Sequence, residues 1–426
     1  MAVLFSLNGV AQVTENSWIN YSQNYYKFPV SKDGIYKITY TDLLNSGIDV
    51  LSIDPRKLQV YGRGEEQYIY VKGEDDGKID ASDYLEFYAE HNDGVYDSSL
   101  FSNVNDQGNP QYSMFTDTMF YYLTWSQLAA GKRIQVETAV NNSGLRQSPF
   151  YWSEIEVVQK SAFSDGALTM HNWAVPEYSS GEGWGSIPFE HGQTKTVSIS
   201  TPNAYGGGPV STLKAGLNGR SRNSHAIKVY AEGVLLDDMT YTNYEMNHLQ
   251  YDFSSTAIGA QTSIDFVSGT STGNTTERNT LMYVSLRYPR TFDLGGVNEM
   301  LMGIPSGAGT KDYVSVNNFN DQNSTVWLYD LTSHLKIVVQ ASGGVYTAVI
   351  PNNGFERKCL ITSEAKARSV GALSPVGGQS SFFIDYESES NTLGGADYFI
   401  VSGNNLLSSA NDYATYRNSK GFKSLV

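Results

Sequence analysis

One cysteine, Cys359, stands among 426 residues. No intrachain disulfide can form, so large cores must hold the fold. A lone cysteine can also serve as a nucleophile. Cys359, however, lies in Phe355-Glu356-Arg357-Lys358-Cys359-Leu360-Ile361, a half-buried strand pattern with no histidine nearby, and it reads as a small buried hydrophobe. Histidine is sparse as well. His91, His171, His191, His225, His248 and His334 are scattered, with no His-x-x-x-His or Cys/His pair, so no zinc site is visible. Basic residues are outnumbered, 29 Lys and Arg against 44 Asp and Glu, for a net charge of −15. That balance excludes a nucleic-acid-binding face and gives no polybasic attraction to anionic lipid; it suits an exported protein that stays soluble by its acidity. Nor does any apolar run reach the roughly 18 residues that a helical membrane span needs.

What is present is aromatic and turn-rich: 30 Tyr and 40 Gly, with many Asn, Ser and Thr. This composition predicts a mainly β extracellular protein, built as tandem β-sandwich or jelly-roll-like domains. The length suggests about two to four domains. Residues 1–11 are similar to the second half of a secretory signal peptide, with Gly9 and Ala11 placing the mature start at Gln12.

An N-terminal β domain is expected over 12–135. In it Tyr25–Val30 and Ile35–Tyr40 form a hairpin across Ser31-Lys32-Asp33-Gly34, Leu58–Gly62 pairs with Tyr68–Val71, and strands follow at Tyr84–Ala89 and Met119–Thr124. Thr41–Gly47 reads as a capped helical turn between them. An irregular aromatic connector holding Phe150-Tyr151-Trp152 and Gly183-Trp184-Gly185 spans 136–193. A jelly-roll-like sandwich follows over 194–296 and a further β domain over 297–385. Residues 386–426 differ. Ala396–Val401 reads as a buried strand, Leu406, Leu407, Ala410, Tyr413 and Ala414 recur at helical spacing, Gly421 stops the helix, and Phe422–Val426 opens a second strand. One βαβ unit cannot cover its own faces. It reads as the start of an α/β domain whose chemistry is expected beyond Val426.

The sharpest local motif is Glu74-Asp75-Asp76-Gly77-Lys78-Ile79-Asp80-Ala81-Ser82-Asp83. Asp75, Asp76, Asp80 and Asp83 supply hard oxygens around a tight turn, the donor type calcium takes, although the EF-hand spacing is not met. The alternative is a solvated Asp-Gly turn. A structural calcium is the single cofactor the chain suggests. Gly216–Arg222 reads as a polar loop that could touch carbohydrate or a partner, or as a plain solvated turn. Gly269-Thr270-Ser271-Thr272-Gly273 matches the nucleophile-elbow letters, but the polar run after it makes no helix, so it reads as a loop. No catalytic constellation is visible.

Four segments carry a family resemblance. They are Phe28–Ile38, Asp76–Tyr88, Tyr283–Arg290, and Gly395–Val401 with Ala410, Tyr413, Tyr416, Arg417, Lys420 and Gly421. Taken in order they resemble the N-terminal part of the gingipain-type cysteine peptidase family, in its type IX secretion sortase branch. Ser180-Gly181-Glu182-Gly183-Trp184 departs from that pattern at the acidic Glu182. The resemblance implies an exported protein at the cell surface of the outer membrane of a Bacteroidota-type bacterium. Its implied partners are secretion-system outer-membrane proteins and secreted cargo. The activity implied is removal of cargo C-terminal sorting domains and transfer of the new C-terminus to anionic lipopolysaccharide. There a cysteine thiolate attacks, a histidine acts as base, and an amine resolves the thioester. Those residues belong to a peptidase domain expected after Val426. Cys359 does not correspond to the nucleophile, no catalytic residue carries over, and the chain as given is expected to be inactive. Two readings stay beside this one: a hydrolysing surface peptidase of the same superfamily, and a non-enzymatic β-sandwich module that binds glycan or protein.

Overall fold

A computed structural model describes residues 16–166, 177–222, 224–269, 275–378 and 380–426. Residues 1–11, read above as similar to a signal peptide, His171 and Thr270–Gly273 lie outside them. The protein is mainly β, as its composition predicts, with short helices at few places.

The first core is a two-sheet sandwich. One sheet orders Ser374–Pro375, Tyr26–Val30, Met119–Trp125, Leu58–Gly62 and Glu65–Gln67; the other orders Arg368–Ser369, Gly34–Thr39, Tyr84–Ala89 and Tyr70–Lys72. The predicted hairpins are therefore corrected. Tyr26–Val30 pairs with Met119–Trp125, Phe28 facing Tyr121, while Gly34–Thr39 pairs with Tyr84–Ala89, Tyr36 facing Phe87. The Ser31–Gly34 turn carries the chain from one sheet to the other. Phe28, Val30, Tyr36 and Ile38 thereby meet in one core, which buries more apolar surface than a hairpin lying in one sheet. Leu58–Gly62 turns at Arg63-Gly64, both with positive φ, into Glu65–Gln67, whereas Tyr70–Lys72 joins the opposite sheet. A short helix, Tyr40–Asn45, starts at Thr39, whose hydroxyl accepts from Asp42 N while Asp42 accepts from Thr39 N. The last two strands of these sheets come from residues 368–375, and Val370 and Leu373 fill the same core. The chain thus returns to its first core before entering the C-terminal unit.

A 13-stranded sheet runs through the rest. Its spine is Arg278–Arg290, paired with Ser211–Gly219 on one side and Tyr151–Val158 on the other. The predicted connector thus holds a central strand. Tyr151, Ile155 and Val157 alternate with Glu154 and Glu156, a period-two pattern that the neighbouring aromatic and Gly-rich residues obscured. Against one end of this sheet packs a four-stranded sheet of Thr194–Ser200, Gln261–Ser268, Ser224–Ala231 and Val234–Thr242, enclosing a second core around Leu213, Ile227, Phe266 and Leu286. The other end folds over a third core of Met302, Val316, Leu328, Ile350, Cys359 and Ile361.

In the C-terminal unit Tyr398–Phe399 lies parallel to Ser424–Leu425, with the helix Leu407–Asn418 between them. This is the expected βαβ order. The strand predicted over Ala396–Val401 keeps a two-residue ladder and is not buried: Val401 is fully exposed and Phe399 mostly so. The helix buries Ala410 and Ala414, one turn apart. Among the described residues no helix is long and apolar enough to cross a membrane, which leaves β-barrels unaddressed.

Candidate functional site

A cleft of about 270 Å³ opens where the first core meets the third. One wall is the turn after Val326–Asp330. There the Asp330 carboxylate accepts from the backbone N–H groups of Thr332 and Ser333, both at 3.0 Å, and His334 adopts a φ of +56° before the chain re-enters a strand. This turn sets the His334 imidazole flat on the Tyr68 ring, 3.4 Å between centroids and 7° between planes. Lys132 lines the cleft beside Tyr68. Its N–H donates to Glu66 Oε1 at 2.7 Å, its ammonium to Glu66 O at 3.1 Å, and the ammonium lies 5.2 Å from the Tyr68 centroid. Tyr88, Ile134, Tyr329, Leu331 and Leu335 complete the lining.

Behind the cleft lies a buried charge pair. The Lys336 ammonium donates to Glu86 Oε1, which also accepts from Tyr329 Oη at 2.8 Å. The ammonium lies 4.3 Å from the rings of both Tyr70 and Trp327. Burial holds His334 below its ordinary value, so it stays neutral at pH 7. Two polar atoms of cleft-lining residues, Tyr88 Oη and Asp330 Oδ2, are buried without a hydrogen-bond partner. This arrangement can hold a small polar or planar group. It lacks an activated nucleophile.

Cys359, fully buried, has its thiol pushed well above the ordinary range by burial, and the charges acting on it are Asp330 and Arg357. The described histidines are dispersed. His91 Nδ1 pairs with Asp33 at 2.5 Å, His191 Nδ1 with Glu277 at 3.2 Å, His225 stacks on Tyr241, and His248 meets Tyr283 Oη and Asn105 O, each at 3.2 Å.

In the acidic loop Asp75, Asp76 and Asp80 are exposed, and Ile79 anchors the segment in the first core. Asp83 accepts from Asp80 N at 2.7 Å and Asp76 from Lys78 N at 2.9 Å, while Glu74 pairs with Arg133. The fold therefore brings Asp80 and Asp83 together and turns Asp76 to its own backbone. Among the described residues no three His, Cys, Asp or Glu side chains gather in a metal-holding group. The loop expected over Gly216–Arg222 is corrected in its first half. Gly216–Gly219 belongs to a buried strand, where a Cβ on Gly216 would meet the Tyr283 ring at 2.5 Å, and Arg220 turns its guanidinium to Ser164 Oγ.

The cleft has no signature in the sequence because its walls, Tyr68 and His334 among them, come from distant parts of the chain and carry no motif. One signal was available: Glu86 and Lys336 are the single charges, of opposite sign, in the strands Tyr84–Ala89 and Leu335–Ser342, each with apolar residues on both sides.

No family model matches this chain, and no curated protein matches it either. Among solved structures the chain is similar to dimeric latent PorU from Porphyromonas gingivalis. The TM-score is 0.58 and the identity 14%, over 95% of this chain and 37% of that one. Two carbohydrate-binding modules overlap slightly. One is the CBM36-1 domain of a multidomain xylanase from the hindgut metagenome of Trinervitermes trinervoides (TM-score 0.21, 8% identity, 32% of this chain and 95% of that one). The other is CBM36 with calcium and xylotriose (TM-score 0.21, 7% identity, 32% and 98%). Overlaps that slight carry no weight. The chain spans little more than a third of the PorU chain it matches, and its fold is PorU-like.

Proposed function

We propose that this chain is the N-terminal scaffold of a gingipain-like cysteine peptidase at the bacterial cell surface, one that resembles the type IX secretion sortase. Its β cores would hold an α/β peptidase unit in place and dock to cargo and to outer-membrane secretion partners, with the catalytic cysteine and histidine supplied outside this region. The observation that carries the reading is the PorU-like fold over 95% of the chain. The parallel strand–helix–strand order of residues 398–425 supports it, being the way an α/β layer begins. So does the burial of Cys359, which leaves this region without a usable thiol.

A second reading, a surface module that binds glycan or protein, draws on the cleft: a stacked Tyr68–His334 wall beside buried polar atoms is a binding geometry without catalytic groups. One experiment separates the two. The chain is expressed with whatever reading frame follows codon 426, and the product is assayed against peptides ending in a cargo sorting domain. Cleavage dependent on a downstream cysteine supports the scaffold reading; a stop codon, or an inactive extension, supports the binding module.

A further inference from the structure

Residues 385–426 touch the body little, Tyr386 sharing one groove with Lys27 and Tyr122. Their backbone hydrogen bonds, such as Asp397 N to Lys423 O and Ile400 N to Leu425 O, close within that stretch, as does the Arg417 stack on Tyr398 and Phe422. Their buried residues are Ala410 and Ala414 alone. What fixes the unit against the body is therefore the segment just before it.

That segment is seated at one residue. The Phe383 ring lies 5.0 Å from Tyr25, 5.4 Å from Tyr122 and 5.6 Å from Trp18, edge-on or tilted to each. Trp18 in turn stacks on Tyr61 and leans on Tyr122, so the box rests on the outer face of the sheet that covers the first core. The backbone is tied at the same point. Tyr25 N donates to Ser381 O at 2.7 Å, and Ser381 holds a φ of +62°, a conformation a non-glycine residue keeps only under constraint. The neighbouring Phe382 points outward and is 38% exposed. Beside Phe383 an open groove of about 270 Å³, lined by Lys27, Tyr122, Ile384 and Tyr386, leaves the ring a way out that crosses no core.

We propose that Phe383 in its Trp18–Tyr25–Tyr122 box is a latch, holding the C-terminal βαβ unit in one position against the first core and letting it swing when the ring leaves. The latch is independent of the proposed function, since any α/β unit carried on this segment would be held the same way. It turns one side-chain contact into control over where that unit points.

The test uses the full chain labelled for energy transfer through cysteines at the exposed positions Leu128 and Asp412, the buried Cys359 staying unlabelled. The unmodified chain is expected to give one narrow distance distribution. Phe383→Ala should lose it, and should be cleaved by protease between 380 and 396 about tenfold faster, because local opening is what proteolysis reads. Phe382→Ala should match the unmodified chain in both readouts, and Trp18→Ala should mimic Phe383→Ala. A narrow distribution kept in Phe383→Ala, or equal effects of Phe382→Ala and Phe383→Ala, overturns the latch. A broad distribution in the unmodified chain overturns it without any variant, so the outcome does not depend on a mutant folding.

Discussion

Lys336 and Glu86 stand 250 residues apart and meet as an ion pair with each side chain 2% exposed. Glu86 lies on Tyr84–Ala89 of the first sandwich and Lys336 on Leu335–Ser342 of the large sheet, each on the face turned away from its core, so one contact registers two parts of the fold. Buried pairs of this kind add little net stability over an apolar pair, but removing one partner strands the other charge in a medium that cannot solvate it. The aromatic rings around the ammonium and the Tyr329 hydroxyl on the carboxylate are the compensation that makes the pair tolerable.

Glu86→Ala is therefore expected to lower unfolding stability by about 3–5 kcal/mol. Glu86→Leu with Lys336→Met, which removes both charges and keeps the volume, should cost distinctly less. Urea melts of the three chains check this; equal losses in the single and double variants would show that the pair is not coupled.

Cys359 should be silent. Burial raises its thiol, and the thiolate is the reactive form. A thiol reagent is expected to modify it only as fast as the third core opens, with modification rising in urea in step with unfolding. Rapid labelling of the folded chain would place the thiol elsewhere.

Glu156 gives a pH signature. Burial lifts its carboxyl to about 7, against a smaller opposing hydrogen bond from Asn109, and repulsion from Glu154 and Asp93 adds to the rise. A value raised above 4.5 means that the folded state favours the protonated form. The stabilising contribution is full below about pH 4.5 and is lost as pH rises through about 7. Glu156→Gln stays neutral throughout, so its Tm should match the unmodified chain at pH 4.5 and exceed it at pH 8. A constant difference at both pH values would remove Glu156 from the titration.

The acidic loop closes on its own backbone, Asp83 on Asp80 N and Asp76 on Lys78 N. Asp83→Ala should cost about 1 kcal/mol, one net hydrogen bond. Calorimetry with millimolar calcium is expected to give no heat and no shift in Tm. A calcium-dependent rise in Tm that Asp83→Ala abolishes would assign the ion to this loop.

Much of this architecture is legible in the chain because β alternation is local. Strands such as Thr194–Ser200, the Glu232-Gly233 turn and the βαβ order near the C-terminus all follow from period and turn residues. Pairing is a different matter. Nothing within Ser31–Gly34 distinguishes a hairpin from a crossing between sheets, because the choice is made by Tyr121 and Phe87 arriving from far away. The return of 368–375 to the first core is hidden for the same reason, as is the Tyr68–His334 stack. The cleft is a product of docking between cores, and two residues that meet only there leave no pattern along the chain.

The most direct test of the scaffold reading is a cleavage assay on this chain alone, using a peptide that ends in a cargo sorting domain. No cleavage is expected, before or after Cys359→Ala. Cleavage by the unmodified chain that Cys359→Ala abolishes would contradict the account, because it would place an active thiol in a region whose one cysteine is buried in the third core.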